Sequence, residues 1–264
     1  MNKIIETNSL TKTFDKTTAV NDISFSVDEG EIVAFLGPNG AGKTTTIKML
    51  TTLLPPTDGS IRINGFDAIN DKDAVRRSFG IVFQDPSLDD ELTAFENLEF
   101  HGVIYGVPKI DRRRRIDEML RFVELYDRKD ELVKHFSGGM KRRLEIARGL
   151  IHHPKVLFLD EPTSGLDPQT RNHIWDHIRK LNKEEGMTVF FTTHYMEEAE
   201  QAASRVFIID KGTIVAEGTT ASLLQTTGKD SLEAAFLSLT GKMIREEEAG
   251  SKEHMRMHRS VWKR

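Results

Sequence analysis

The residues that most constrain this chain are Gly37-Pro38-Asn39-Gly40-Ala41-Gly42-Lys43-Thr44, which read G-x-x-x-x-G-K-T. Glycines at 37, 40 and 42 let the backbone curl around an anion with successive N–H groups turned inward. Ile32-Val33-Ala34-Phe35-Leu36, just before the loop, is a continuous apolar run of the kind buried on both faces of a parallel sheet. From Lys43 to about Leu53 the pattern is helical, until Pro55-Pro56 ends it. A strand that enters a glycine loop and leaves as a helix belongs to an α/β fold. There the positive end of the helix faces the anion, Lys43 sets an ammonium on the β- and γ-phosphates, and the Thr44 hydroxyl reaches Mg2+. The rival reading, an ordinary glycine turn with a solvated lysine, leaves the flanking strand and helix unexplained.

The rest of the chain supplies the sheet and its cover. Residues 3–34 are β-rich, with Ile23, Phe25 and Val27 alternating with polar residues as in a half-buried antiparallel strand. Ile61-Arg62-Ile63 is a short strand followed by an Asn64-Gly65 turn, and Gly80 to Phe83 is a strand ending at Gln84. Residues 86 to about 135 turn helical, with apolar positions at Leu92, Phe95, Leu98, Ile104, Ile116, Leu120 and Val123. From Ile151 to Asp210 strands (Val156–Leu159, Thr188–Thr192, Arg205–Asp210) alternate with helices at about 169–185 and 195–203, which argues for a parallel sheet covered by helices. The expected fold is α/β: a P-loop NTPase core of mostly parallel sheet with flanking helices, an N-terminal antiparallel β subdomain and a helical subdomain inserted over about residues 86–150. One domain is expected over residues 1–240, closing with a short amphipathic helix at 231–240. Residues 241–264 read as a charged, patternless tail.

Bulk properties exclude several function classes. The 264 residues carry a formal net charge of -4, so no overall basic field points to nucleic acid. Without cysteine there is no disulfide, thiolate metal site or cysteine nucleophile, and an intracellular setting fits. Met1 to Leu10 is too polar for a secretory signal, and no stretch has the length and apolarity of a spanning helix. The expectation is a soluble or peripheral chain whose membrane part, if it has one, is another polypeptide.

Phe136-Ser137-Gly138-Gly139-Met140 is a second glycine-rich turn, opening a helix at Gly138–Leu150. It is a second phosphate grip too far along the chain to join the first loop, and two half-sites in one chain imply two copies closing on each other. Ser137 also fits a plain helix N-cap; the readings coexist, since a helix N-terminus is what binds an anion. Val156-Leu157-Phe158-Leu159-Asp160-Glu161 is an apolar strand ending in two carboxylates. Asp160 beside the phosphate loop can hold Mg2+, and Glu161 can take a proton from an attacking water. The alternative is an acid pair capping the next helix.

Taken in order, the loop at 37–44, Gln84, Ser137-Gly138-Gly139, Asp160-Glu161, Ser164-Gly165-Leu166-Asp167 and His194 strongly resemble the nucleotide-binding subunit of ABC (ATP-binding cassette) transporters, over roughly residues 3–240. The resemblance implies ATP and Mg2+ as ligands. Gln84 resembles the Q-loop residue, which touches Mg2+ or the attacking water and relays to the membrane partner. Ser137, Gly138, Gly139 and Met140 resemble the signature loop, with Phe136 and Met140 in place of the family's commonest Leu and Gln. Asp167 resembles the D-loop acid that reaches across a dimer, and is otherwise a capping residue before Pro168. His194 resembles the switch histidine on the γ-phosphate. Phe14 takes the place of the aromatic that stacks on adenine, with a core phenylalanine as its alternative, and Val20 lines the same base. Residues 37–45, including Thr45, would hold the phosphates, and Thr44, Gln84 and Asp160 the metal.

Thr193-His194-Tyr195-Met196-Glu197-Glu198-Ala199-Glu200 and Leu232 to Gly241 look like the daunorubicin-type drug-resistance exporters, whose ATPase and permease are separate chains. That resemblance implies an ATP-hydrolysing homodimer at the cytoplasmic face of the membrane, powering a separate integral-membrane permease that docks around Gln84 and residues 85–105. Two rivals are a non-transport ABC ATPase acting on ribosomes or DNA, and another P-loop enzyme such as a kinase or GTPase. The first lacks its usual second cassette or long insertion here; the second is opposed by Ser137-Gly138-Gly139 and His194. Arg112-Arg113-Arg114-Arg115 reads as a wet helix face balanced by Asp111, Asp117 and Glu118, Lys252 to Arg264 as a solvated basic tail, and His152-His153 lacks partners for a metal.

Overall fold

Ile32–Leu36 becomes strand β3, with every residue buried. The structure, a computed structural model, describes residues 2–85 and 87–241. In chain order the elements are β1 (Lys3–Phe14), β2 (Thr17–Asp28), β3, α1 (Lys43–Leu50), β4 (Asp58–Ile63), β5 (Phe66–Asp67), α2 (Lys72–Ser78), β6 (Phe79–Val82), α3 (Ala94–Ile104), α4 (Lys109–Phe122), α5 (Gly138–Leu150), β7 (Val156–Asp160), α6 (Pro168–Glu185), β8 (Thr188–Thr193), α7 (Met196–Ala202), β9 (Arg205–Asp210), β10 (Thr213–Gly218), α8 (Thr220–Thr227) and α9 (Leu232–Thr240). A six-stranded sheet runs β10-β9-β3-β8-β7-β6, and a four-stranded sheet runs β2-β1-β4-β5. In the larger sheet only β10 is antiparallel to its neighbour. The smaller sheet is antiparallel throughout.

Strand alternation explains why β3 is apolar at every position. Val33 and Phe35 face a core shared with Ile5, Phe25, Val27 and Ile63 of the small sheet and with Ile47 and Leu50 of α1. Ile32, Ala34 and Leu36 face the opposite core, shared with Leu98, Leu120, Leu144, Trp175 and Ile178 of the helices. Phe25 ties the sheets together, with ring centroids 5.8 Å from Phe35, 5.9 Å from Phe190 and 5.3 Å from Phe207. Such aromatic pairs contribute roughly 0.5–1.5 kcal/mol each beyond their buried area.

The Asn64-Gly65 turn is a two-residue hairpin in which Ile63 pairs with Phe66 and both turn residues have positive φ, 51° and 79°. That is the handedness which matches strand twist. Helix α1 stops at Leu50, short of the expected Leu53. The Thr51 hydroxyl bonds back to the Ile47 carbonyl at 2.8 Å and Thr52 turns left-handed at φ 60°, so the chain leaves the helix before the prolines. β4 begins at Asp58, earlier than expected, while α2, β5, β10 and α8 are additional. These are short or half-exposed pieces with weak periodicity. From residue 242 the expected charged tail, with its basic end, lies outside the described residues.

α3 meets the end of α5 through a ring cluster. Tyr105 stacks on His152 at 3.8 Å, His101 lies 4.8 Å from Tyr105, and His152 Nε2 donates to the Phe79 carbonyl at 2.9 Å. Burial pulls the pKa of His101 down to about 3 and that of His152 to about 4. Both are neutral in the fold and regain the ordinary value of 6.5 on unfolding. The unfolded chain therefore binds more protons below about pH 6.5, and stability present above that pH is lost as pH falls, at up to ~1.4 kcal/mol per pH unit for each histidine. Urea denaturation from pH 7 to 5 should show this fall, with a shallower slope in His152→Asn; an unchanged slope would contradict it.

Candidate functional site

The site is built where parallel strands end at one level. Leu36 at the end of β3 is in register with Thr193 of β8, and Asp160 at the end of β7 with Thr192. The carboxyl ends of strands are where open α/β sheets place ligands. Residues 37–42 leave β3 and α1 starts at Lys43, with Gly42 as N-cap at φ 106°. Only glycine fits at 42: besides the positive φ, a Cβ would stand 2.5 Å from the Ala19 carbonyl oxygen. The first turn of α1 holds no acidic residue, so its positive end is left to the loop.

Lys43 is buried, and its Nζ donates to the carbonyls of Gly37 at 2.8 Å and Pro38 at 3.1 Å. The same nitrogen lies 3.4 Å from Glu161 Oε1, while His194 Nδ1 lies 3.2 Å from Glu161 Oε2. One carboxylate thus bridges the loop lysine and the histidine after β8. Glu161 has φ 48°, a left-handed conformation costing a non-glycine residue ~1 kcal/mol, and it falls at the sharp exit from β7. Its backbone N–H donates to the Thr192 hydroxyl at 3.0 Å. That hydroxyl donates in turn to Asp160 Oδ1 at 2.6 Å, which also accepts from the Thr44 hydroxyl at 3.3 Å.

The two adjacent carboxylates are pushed apart in acidity. Burial raises the pKa of Asp160 against the hydroxyls of Thr192 and Thr44, with the Glu161 charge adding to the rise. Burial would raise Glu161 too, but the His194 contact and the Lys43 charge outweigh it and hold Glu161 below the ordinary carboxylate range. Divergent values on neighbouring acids mark different duties.

A second group assembles elsewhere. The Ser137 hydroxyl caps α5 by accepting from the Met140 N–H at 3.3 Å. Asp167 caps α6, accepting from the Thr170 N–H at 3.0 Å and its hydroxyl at 2.7 Å, and these bonds lower its pKa. The helix starts are packed closely enough that a Cβ on Gly139 would stand 2.6 Å from Thr170 Cγ2. They open on a groove of about 370 Å3 lined by Ser137, Gly139, Met140, Asp167 and Thr170 together with Glu124, Arg143 and His173. None of residues 37–45 lines it. Gly138 is exposed at the same helix start.

The remaining candidates fall as follows. Phe14 ends β1 and is 45% exposed, with Lys12 Nζ 5.2 Å from its ring centroid, so it is not a core residue. Val20 is fully buried next to Gly42. Pro38 and Ala41 are buried, Asn39 is exposed and Thr45 half-buried. Gln84 is exposed just past β6, and its backbone carbonyl accepts from Arg142 Nη2 at 3.0 Å. Sequence reading passed over Thr192, although two hydroxyls ending an apolar strand were a signal. It also passed over the role of Glu198, which accepts from the hydroxyls of Thr163 and Thr193 (the latter at 2.7 Å) and so ties the segment after Glu161 to the one bearing His194. Among the described residues no group of three His, Cys, Asp or Glu side chains could hold a metal, and no helix is long and apolar enough to cross a membrane.

A match to the ABC transporter family spans residues 20–164. The chain is 44% identical over 230 residues to the daunorubicin/doxorubicin resistance ATP-binding protein DrrA of Streptomyces peucetius, covering 87% of this chain and 69% of that one. It is 43% identical over 229 residues to the linearmycin resistance ATP-binding protein LnrL of Bacillus subtilis (strain 168), covering 87% and 73%. Its fold is similar to a dimeric post-hydrolysis state of the ATP-binding cassette MJ0796 bound to ADP and Pi, with TM-score 0.74, 31% identity, and 81% and 98% of the two chains covered. The chain belongs to the ABC transporter family, as one of its nucleotide-binding ATPase subunits.

Thr192→Val keeps the shape of the side chain and removes the hydroxyl shared by Asp160 and the Glu161 N–H. The loss should be about 1–3 kcal/mol, the cost of leaving a buried polar group unpartnered. Urea denaturation measures it, and a change below about 0.5 kcal/mol would show that Thr192 is not needed there.

Proposed function

We propose that the chain is the motor subunit of an exporter of drugs or other hydrophobic compounds: it binds ATP with Mg2+, hydrolyses ATP in a closed homodimer and drives a separate integral-membrane permease from the cytoplasmic face. Residues 1–240 act as one ATPase domain, with the helical subdomain of about residues 86–150 carrying the second grip. The observation that supports this most is the separation of the two groups. The loop with Lys43, Asp160, Glu161 and His194 forms one half-site, and the groove at Ser137, Gly139 and Asp167 contains none of the loop. In a two-fold dimer each half completes the other, with ATP between the loop of one protomer and Ser137, Gly138, Gly139 and Met140 of its partner, and Asp167 reaching across.

The N–H groups of residues 39–45 and the positive end of α1 receive the phosphates. Binding requires Lys43 to exchange the Gly37 and Pro38 carbonyls and Glu161 for phosphate oxygens. That exchange takes the Lys43 ammonium off Glu161, one of the contacts that hold its pKa down against burial, so the freed carboxylate becomes a better base for the attacking water. His194 then moves from Glu161 to the γ-phosphate. The open ring face of Phe14 stacks on adenine, with Val20 backing it. Thr44 and Asp160 would offer the hard oxygen donors that suit Mg2+, with Gln84 as a third. When bound, Mg2+ neutralises charge on the β- and γ-phosphates.

Export of drug-like cargo follows the names of the relatives, two of which are resistance proteins. The same names, with the net charge of -4, weigh against action on ribosomes or DNA. The permease would dock around Gln84 and residues 87–105, where Phe100 is 63% exposed and Val103 and Ile104 are also open.

Glu161→Gln should bind ATP, lose about 10²–10³-fold in turnover and accumulate as a dimer. Phosphate release and light scattering with saturating Mg-ATP measure both. A variant that stays monomeric, or hydrolyses as wild type does, would contradict the sandwich.

A further inference from the structure

Arg142, Glu145 and Arg148 share one face of α5, spaced at i, i+3 and i+6, and all of them turn toward the loop that follows β6. Arg142 is buried; it donates to the Phe83 carbonyl and, at 3.0 Å, to the Gln84 carbonyl. It pairs with Glu145 at 3.1 Å, and Glu145 is fully buried. Glu145 Oε1 accepts from the Ser87 N–H at 2.8 Å and from its hydroxyl at 3.4 Å. Arg148 donates to the Ser87 carbonyl at 2.5 Å and to the Ser87 hydroxyl. Phe83, Gln84 and Ser87 are therefore fastened to one helix through charge-assisted bonds, the strong class.

The other parts of α5 give this ladder a consequence. Its N-terminus carries Ser137, Gly138 and Gly139. Its C-terminus lies directly on the sheet: no Cβ fits at Gly80 of β6, where it would collide with the Gly149 carbonyl. A buried ion pair is a poor source of net stability, because desolvation offsets its attraction. Three charged side chains spent on the backbone of one loop are better explained by where they hold it.

We propose that Arg142, Glu145 and Arg148 are positioning residues for Gln84. They make Phe83, Gln84 and Ser87 move as one body with the Ser137–Gly139 helix, so that contact of that helix with the nucleotide in one site of the dimer sets Gln84 in the other. The proposal rests on the dimeric reading above. Engagement at one nucleotide then speeds hydrolysis at the second about tenfold, because α5 cannot advance without carrying Gln84 with it.

The test is a double-mutant cycle on the full chain: wild type, Gln84→Ala, the pair Arg142→Met/Glu145→Leu, and all three substitutions together. The pair removes both members of the Arg142–Glu145 ion pair at once, so neither is left buried without the other. Gln84→Ala and the pair should each lower Mg-ATP turnover about tenfold with ATP affinity unchanged, and the triple variant should be no slower than the slower of the two, since both losses pass through one glutamine. Losses that multiply would overturn the proposal, because the ladder would then only support the fold. If Gln84→Ala alone leaves turnover intact, the assignment of Gln84 falls and the proposal falls with it, whereas Glu161→Gln still judges the dimeric site independently. Should the pair fail to fold, Arg148→Gln, which loses the Ser87 contacts and the Arg148 charge near Glu145 but keeps the Arg142–Glu145 pair, takes its place in the cycle with the same expected and contrary outcomes.

Discussion

The site depends on the shared level of three parallel strands. β3, β7 and β8 end together, with Leu36 against Thr193 and Asp160 against Thr192. β3 delivers the glycine loop and Lys43, β7 delivers Asp160 and Glu161, and β8 delivers Thr192 and His194. A one-residue slip of β7 would exchange the faces of Asp160 and Glu161 and dismantle both the Thr44–Asp160 and the Lys43–Glu161 contacts. The strands can hold this register because they are buried on both faces, so no slip is neutral. Burial also concentrates charge where little water reaches. Asp160 is 1% exposed and Glu161 7%, and neighbours must supply what solvent does not. Thr192, Thr44, Lys43 and His194 do so.

The same economy of parts appears at the second group. Ser137 and Asp167 are helix caps first, each bonded to a backbone N–H of its own helix. A capped helix start is also a concentration of inward-pointing N–H groups, so structural and functional readings of these residues describe one geometry. The tight seat of Gly139 on Thr170 keeps the starts of α5 and α6 together, which is why two motifs distant in sequence open on one groove. Relatives that share this fold include a cassette crystallised as a dimer with ADP and Pi.

Much of this was legible from residue patterns, for physical reasons. Continuous apolar runs at 32–36 and 156–159, each short and closed by a turn or carboxylates, mark strands buried on both faces, and glycine at 42 has no substitute at φ 106°. Capping residues at 137 and 167 mark helix starts whatever surrounds them. What stayed hidden was tertiary. The contact of Lys43 with Glu161 joins the segments that follow two separate strands, and nothing local in either motif encodes it. No motif marks Arg142 or Glu145, yet both are buried and directed at a loop far back in the chain. Phe14 could have been core or surface on its pattern; only its place at the end of an edge hairpin leaves its ring open. The extent of α1 failed for a local reason, since the threonine hydroxyl at 51 competes for a helix carbonyl.

The central claim is that one nucleotide site is made from two chains. A mixed dimer tests it directly: one full-length protomer carries Lys43→Ala and the other Ser137→Arg, purified through two different tags. Either substitution in both protomers damages both sites. In the mixed dimer a shared arrangement gathers both defects into one site and leaves the other intact; with the roughly tenfold help of the damaged site lost, Mg-ATP turnover should recover to about a twentieth of wild type, well above either uniform variant. Turnover as low as that of the two uniform variants would mean that each chain builds its site alone, and would contradict the account.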